Sequence, residues 1–176
     1  MNWTIDPTHS SIDFSVRHLA ISTVRGRFKN FAAQAEVGPD GRLQKIEATI
    51  DPQSIDTGVA DRDAHLRSAD FFDVAKYPEI RFVSTFIKPL DQARTEVTGE
   101  LTMHGVTQPV SFVVESGEAI KDPWGNRRLA AAARGVLNRK DWGLTWNQLL
   151  ELGGVAVSDE VKWSLEVEAV AQAKAA

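Results

Sequence analysis

Alternation of apolar and polar residues, repeated in segment after segment, most narrows what this chain can become. In Val161, Trp163, Leu165, Val167 and Ala169 the apolar side chains fall on one parity, while Lys162, Ser164, Glu166 and Glu168 fall on the other. A period of two puts successive side chains on opposite faces of a strand, so this segment has one dry face and one wet one. The pattern recurs in Ile12, Phe14 and Val16, and in Ile46, Ala48 and Ile50. It continues in Ile80, Phe82 and Phe86, in Leu101 and Met103, and in Val110, Phe112 and Val114.

Gly38-Pro39-Asp40-Gly41, His104-Gly105 and Asp122-Pro123-Trp124-Gly125-Asn126 punctuate these segments and read as hairpin connections. With residues 23 to 37 taken as one long bent strand, the count comes to about eight. Short turns favour an up-and-down meander, and eight one-sided strands can close into a barrel. The expected class is all-β, an antiparallel barrel of about eight strands, with a two-sheet sandwich as the competing architecture. Ser54 to Asp73 breaks the alternation. Val59, Leu66, Ala69 and Phe72 recur there at near-helical spacing, which predicts a short helix across one barrel end, held down by Phe71 or Phe72.

At 176 residues the chain fits a single domain spanning 1–176. A net charge of -4, with no basic stripe interleaved with aromatics, argues against a nucleic-acid partner. The absence of cysteine closes off disulfides, thiolate metal sites and a cysteine nucleophile. The four histidines lack the spacing that puts two ligands on one face, and there is neither a phosphate-binding glycine loop nor a Gly-x-Ser-x-Gly elbow, so neither metal nor cofactor is expected. Met1 to Pro7 shows no positive segment followed by an apolar one, which predicts a cytoplasmic location, or a periplasmic one if a leader has been removed. Ala171 to Ala176 reads as a frayed tail.

Several inward positions are small: Ala33, Ala35, Ala48, Ala131, Ala133 and Gly135. Interiors pack to crystal-like density, so these positions leave a lumen unless bulky residues oppose them all. In the competing reading Phe82, Phe112 and Trp163 simply interdigitate with the alanines. The expected lining is Phe14, Val16, His18, Phe82, Ser84 and Phe86, with Phe112, Ala131, Ala133 and Trp163. Such a wall suits a hydrocarbon, which gains about 0.8 kcal/mol per CH₂ removed from water.

His18 reads either as a hydrogen-bond donor to a ligand headgroup or as a satisfied core histidine. Asp61, Arg62, His65, Leu66, Phe71 and Phe72 are the candidate entrance or lid. The charges Asp61, Arg62, Asp63, His65 and Arg67 can equally form local ion pairs. Trp142 and Trp146 lie in a stretch without alternation, where they cap the cavity, form a membrane-docking or dimer surface, or pack inside. His104 falls on the polar parity and is expected exposed.

The run from Asp61 to Asp73, followed by Tyr77-Pro78-Glu79-Ile80-Arg81-Phe82-Val83-Ser84, resembles the signature of the YceI-like polyisoprenoid-binding proteins. Trp3 to Ser10, Phe14 to Leu19, Gly99 to Thr107 and Asn138 to Leu144 extend the resemblance over nearly the whole chain. It implies an extended lipocalin-like barrel that holds a polyisoprenoid, such as an isoprenoid quinone or its precursor. It also implies a homodimer, and binding, storage or transport without catalysis; transient membrane contact is expected on the docking-surface reading of Trp142 and Trp146. Two rival readings remain: a small barrel enzyme using His18 as acid or base on an apolar substrate, and a protein-interaction barrel with an incidental cavity.

Overall fold

The computed structural model describes residues 1–149 and 155–172. Its strands run in the order β1 (Asn2–Ile5), β2 (Ser11–His18), β3 (Ser22–Phe28), β4 (Phe31–Val37), β5 (Leu43–Ile50) and β6 (Ile55–Asp56). Helix α1 (Ala60–Arg67) follows, then β7 (Ile80–Pro89), β8 (Arg94–Met103), β9 (Val106–Ser116), β10 (Ile120–Lys121), β11 (Arg127–Asn138) and β12 (Val157–Ala171). Strand β1 went unseen in the alternation because only Trp3, Thr4 and Ile5 carry it.

Six of the strands combine into three staves. β1 and β2 lie end to end along β12, while β3 and β4 face them as β2–β3 and β1–β4. β5 and β6 in turn pair with β4 and β3. From β5 the sheet continues through β7, β8, β9 and β11 to β12, which returns to the first stave. All these pairings are antiparallel, and apart from the closing contact of β12 with the first stave they join staves that follow one another in the chain, so the result is a closed eight-staved meander and not a sandwich.

The three compound staves break at one level, and the sequence supplies the breaks. Asp6 and Asp51 each precede a proline that opens a 3₁₀ turn, Pro7–His9 and Pro52–Ser54, and each carboxylate accepts from the backbone N–H two residues on. Proline offers no N–H to the ladder, so regular pairing stops there. Between these turns, the Ser54 hydroxyl accepts from the Lys29 and Asn30 N–H groups at 3.1 and 2.9 Å. The bent strand expected over 23–37 is accordingly two strands with a corner at Lys29-Asn30.

A bulge corrects one inward assignment. Ser84 pairs with Gly99 but Phe86 pairs with Thr98, leaving Thr85 as the extra residue. Parity flips across it: Phe86 points outward, 59% exposed, and Ile87 takes the row facing the fully buried Val97.

The densest packing lies at the α1 end, where Phe28, Ile55, Ile80, Met103, Trp142 and Leu144 form a buried cluster. Leu66 and Phe72 hold the helix to it, with the Phe72 ring edge-on to Phe28 at 5.9 Å. Val59 and Ala69 are exposed instead, so the helix is shorter than its expected apolar stripe. Trp142, 2% exposed, donates from Nε1 to the Leu101 carbonyl at 2.9 Å and offers no docking surface. His104 is half-buried rather than exposed, donating from Nδ1 to the Trp142 carbonyl at 3.1 Å and packing edge-on to Tyr77. Leu150, Gly153, Gly154 and the end of the expected tail from Ala173 lie outside the described residues.

Candidate functional site

Inside the barrel is a cavity of about 1280 Å³, larger than the roughly 300–1,000 Å³ of sites for drug-sized molecules. At the α1 end it is bordered by His18, Val24, α1 and Trp146; its wall then runs down the barrel to Val37, Leu43, Leu90 and Leu129 near the opposite turns. Aliphatic and aromatic side chains make up most of that wall because each stave turns its apolar parity inward.

Three glycines explain how a barrel containing large rings stays hollow. A Cβ on Gly135 would sit 2.6 Å from the Trp163 indole, one on Gly99 would sit 2.5 Å from the Phe82 ring, and one on Gly26 would collide with Phe14. Each ring therefore lies over a glycine on a neighbouring strand. Phe82, Phe112 and Trp163 form a chain along the wall, with centroids 5.4 and 5.3 Å apart. Gly135 does not itself add volume, as its small size had suggested; it accommodates Trp163 against the wall. The indole Nε1 is buried there without an acceptor among the described residues.

Of the residues expected to line the lumen, Phe14, Val16, His18, Phe82, Phe112, Ala131 and Trp163 do so. Ser84, Phe86 and Ala133 do not. The Ser84 hydroxyl accepts from the Ile46 N–H at 2.8 Å, closing the ladder where β5 and β7 part. Ala133 lies on the inward row of β11, but at 5% exposure it is packed between its register partners Val114 and Leu165. Asp61, Arg62, His65, Leu66, Phe71 and Phe72 all border the cavity.

Arg62, Asp63 and Arg67 fasten α1 to the chain before it rather than pair with one another. Buried Asp63 accepts from the Thr57 N–H and hydroxyl at 2.9 and 2.5 Å, and Arg62 donates to the Thr57 hydroxyl and carbonyl at 2.8 and 3.0 Å. Arg67 donates to the Gln53 and Ile55 carbonyls at 2.8 and 2.7 Å. His65 Nε2 lies 2.9 Å from an Asp70 carboxylate oxygen, and its ring meets Phe71 and Trp146 edge-on at 5.2 and 4.7 Å. This leaves the His18 imidazole, the Asp61 carboxylate and the second His65 nitrogen at the mouth without hydrogen bonds to the described residues. They are polar groups with unused hydrogen-bonding capacity beside an otherwise apolar opening.

Sequence reasoning missed Arg139, which builds the other side of this mouth. It is 5% exposed and donates to the carbonyls of Ser158 (3.0 Å), Leu144 (2.5 Å) and Trp146 (2.8 Å), with Asp159 at 3.4 Å. Burial opposes its charge and lowers its pKa, while Asp159 partly offsets that cost. A guanidinium can satisfy several carbonyls in one fork, and this one fixes Trp146 over the lumen. Its only sequence signal was a place in the Asn138 to Leu144 block. Thr57 carried none. Among the described residues, no group of three His, Asp or Glu side chains is placed to hold a metal, and no helix is long and apolar enough to cross a membrane.

A closed meander around a continuous apolar lumen, with a helix across one end, defines a hollow barrel of the lipocalin-like kind. The model of the YceI-like domain matches residues 3–169, and the chain belongs to the YceI-like family. It is 36% identical over 170 residues to a UPF0312 protein of Staphylococcus aureus, covering 95% of this chain and 96% of that one. Among solved structures it is similar to Burkholderia cenocepacia BcnA, with a TM-score of 0.81, 24% identity, and 93% and 98% of the two chains covered. It also resembles a polyisoprenoid binding domain from Saccharophagus degradans described as implicated in plant cell wall breakdown, with a TM-score of 0.74, 17% identity, and coverage of 97% and 98%.

Proposed function

We propose that the lumen holds the tail of a polyisoprenoid, such as an isoprenoid quinone or its precursor, with the headgroup at the α1 mouth, and that the protein stores or carries it without making or breaking a bond. The observation that carries this reading is the apolar cavity of about 1280 Å³. Association costs about 4–15 kcal/mol, whereas a five-carbon prenyl unit gains roughly 4 kcal/mol at about 0.8 kcal/mol per carbon. One unit therefore at best matches the lowest of these costs, whereas four or more exceed the highest. The polyisoprenoid-binding neighbour of the same fold supports the choice of ligand.

The enzymatic reading is weaker because His18 has no carboxylate bonded to its ring among the described residues, so nothing orients it as acid or base. Extraction of natively purified protein followed by mass spectrometry tests the proposal. A co-purifying prenyl lipid is expected. A barrel that is empty and also refuses added isoprenoid quinone sinks the idea.

A further inference from the structure

The geometry points to the α1 end as a surface that docks on an anionic lipid bilayer, through an apolar rim at the mouth of the lumen. The inference rests on the reading that the lumen holds a polyisoprenoid, because docking there lets a chain pass between bilayer and barrel without crossing water.

Two segments make the rim. One is the tip of the β2–β3 hairpin, where Leu19 is 48% and Ile21 85% exposed. The other carries Leu149 and Val155, 82% and 42% exposed and bridged to each other. The Leu19 N–H donates to the Ala156 carbonyl at 2.9 Å, which ties the segments together. Their chain neighbours His18, Trp146 and Val157 line the lumen, so the apolar surface of the cavity continues onto the rim. Single exposed apolar residues need no explanation, but a contiguous group beside an apolar mouth does.

The backbone of the tip adds a second observation. Leu19 and Ala20 have φ of 52° and 61°, the left-handed region that glycine or asparagine occupies at lower cost. The chain holds Leu-Ala-Ile where a polar turn would fold more easily, which marks the tip as retained for something besides folding.

Charge selects the occupant. Arg17 and Arg25 stand exposed on the outward parity of the hairpin behind the tip, and neither forms an ion pair with a described residue. An apolar tip followed by unpaired cations matches the depth profile of an interface, with acyl chains first and anionic headgroups next. With a net charge of -4 on the whole chain, attraction depends on this local pair and weakens with salt.

Co-sedimentation with vesicles of phosphatidylglycerol and phosphatidylethanolamine, against phosphatidylcholine alone, tests the proposal. Ile21→Asp combined with Leu149→Asp should lower binding to the anionic vesicles at least tenfold. Arg25→Gln should lower it roughly fivefold, and only on anionic vesicles. Trp124→Asp, in the exposed turn between β10 and β11 at the opposite end and outside the cavity wall, should leave it unchanged. Geranylgeraniol titrated in vesicle-free buffer should bind the rim variants as it binds the parent, which also shows them folded. Vesicle binding that survives the rim substitutions, or is lost with Trp124→Asp instead, overturns the docking surface. So do rim variants that change only the sedimentation coefficient, since that marks a face between copies of the chain. Vesicle docking by a protein that takes up no geranylgeraniol leaves the surface standing and removes the lumen reading.

Discussion

Replacing Gly135 with alanine adds a single methyl group and should both loosen the barrel and narrow its lumen. The new Cβ would meet three atoms of the Trp163 indole at 2.6, 2.7 and 2.9 Å, whereas carbon atoms rest at about 3.5–4.0 Å. The ring must withdraw by roughly 1 Å. Phe112 lies edge-on 5.3 Å away along the wall, so the movement is into the cavity. Overpacking of this kind costs about 1–3 kcal/mol, and removing a glycine from a strand returns about 0.5–1 kcal/mol. The net is a destabilisation of up to about 2.5 kcal/mol, which for a chain of this size lowers Tm by up to roughly 10 °C. Thermal unfolding by circular dichroism, with geranylgeraniol titration on the same samples, measures both effects. Gly117→Ala is the control, since only one backbone oxygen, at 3.9 Å, lies near its Cβ. A Gly135→Ala protein as stable as the parent and unchanged in affinity would refute the claim that the glycine makes room for the ring.

Three further outcomes are expected. Ala131→Phe projects a ring into the cavity and should weaken geranylgeraniol binding at least tenfold, while Val113→Phe on the outer face should not; equal effects would misplace the lumen. Arg139→Lys cannot reproduce a fork to three carbonyls and should cost about 3–5 kcal/mol in urea unfolding, so a loss below about 1 kcal/mol would show that the carbonyls find other partners. Acid should erode stability through Asp6 and Asp122. Burial raises the Asp122 pKa, but bonds from Asn126, Arg128 and the Asn126 and Trp124 N–H groups outweigh it and hold the carboxyl at about 2. Thr8, His9 and Arg128 hold Asp6 below the usual range. Both folded values lie below the unfolded ones, so this contribution is complete above about pH 4 and drains as pH falls toward about 2. Urea unfolding between pH 5 and 2 should show that decline, flattened in Arg128→Met; identical slopes would refute it.

What the sequence made legible was whatever depended on parity within one strand. The inward row of β12 from Val161 to Ala169 is a local property, and so is the outward row beside it. Phe86 was misread because one extra residue, Thr85, cancels the parity downstream, and nothing in Ser84-Thr85-Phe86 announces a bulge. Ala131 and Ala133 share a residue type and a parity, yet only the first meets open space; the difference lies in Val114 and Leu165, contributed by other strands. The mouth was the least legible part. Thr57 and Arg139 act by bonding backbone carbonyls and side chains brought near by folding, and no periodicity records such partners.

Strand β12 closes the barrel against β2, pairing Val157 with His18 and Leu165 with Ile12. Those partners are made at opposite ends of synthesis. At about 5–20 residues per second, the ribosome delivers Val157 roughly 7 to 28 seconds after His18. Until then the nascent chain is a sheet with an apolar face and two bare edges, one on the first stave and one on β11, each able to pair with a neighbouring chain. Loss of the last strand would therefore do more than shorten the wall: it would hold the molecule in its most aggregation-prone form, and a cell must protect that open sheet every time the protein is made.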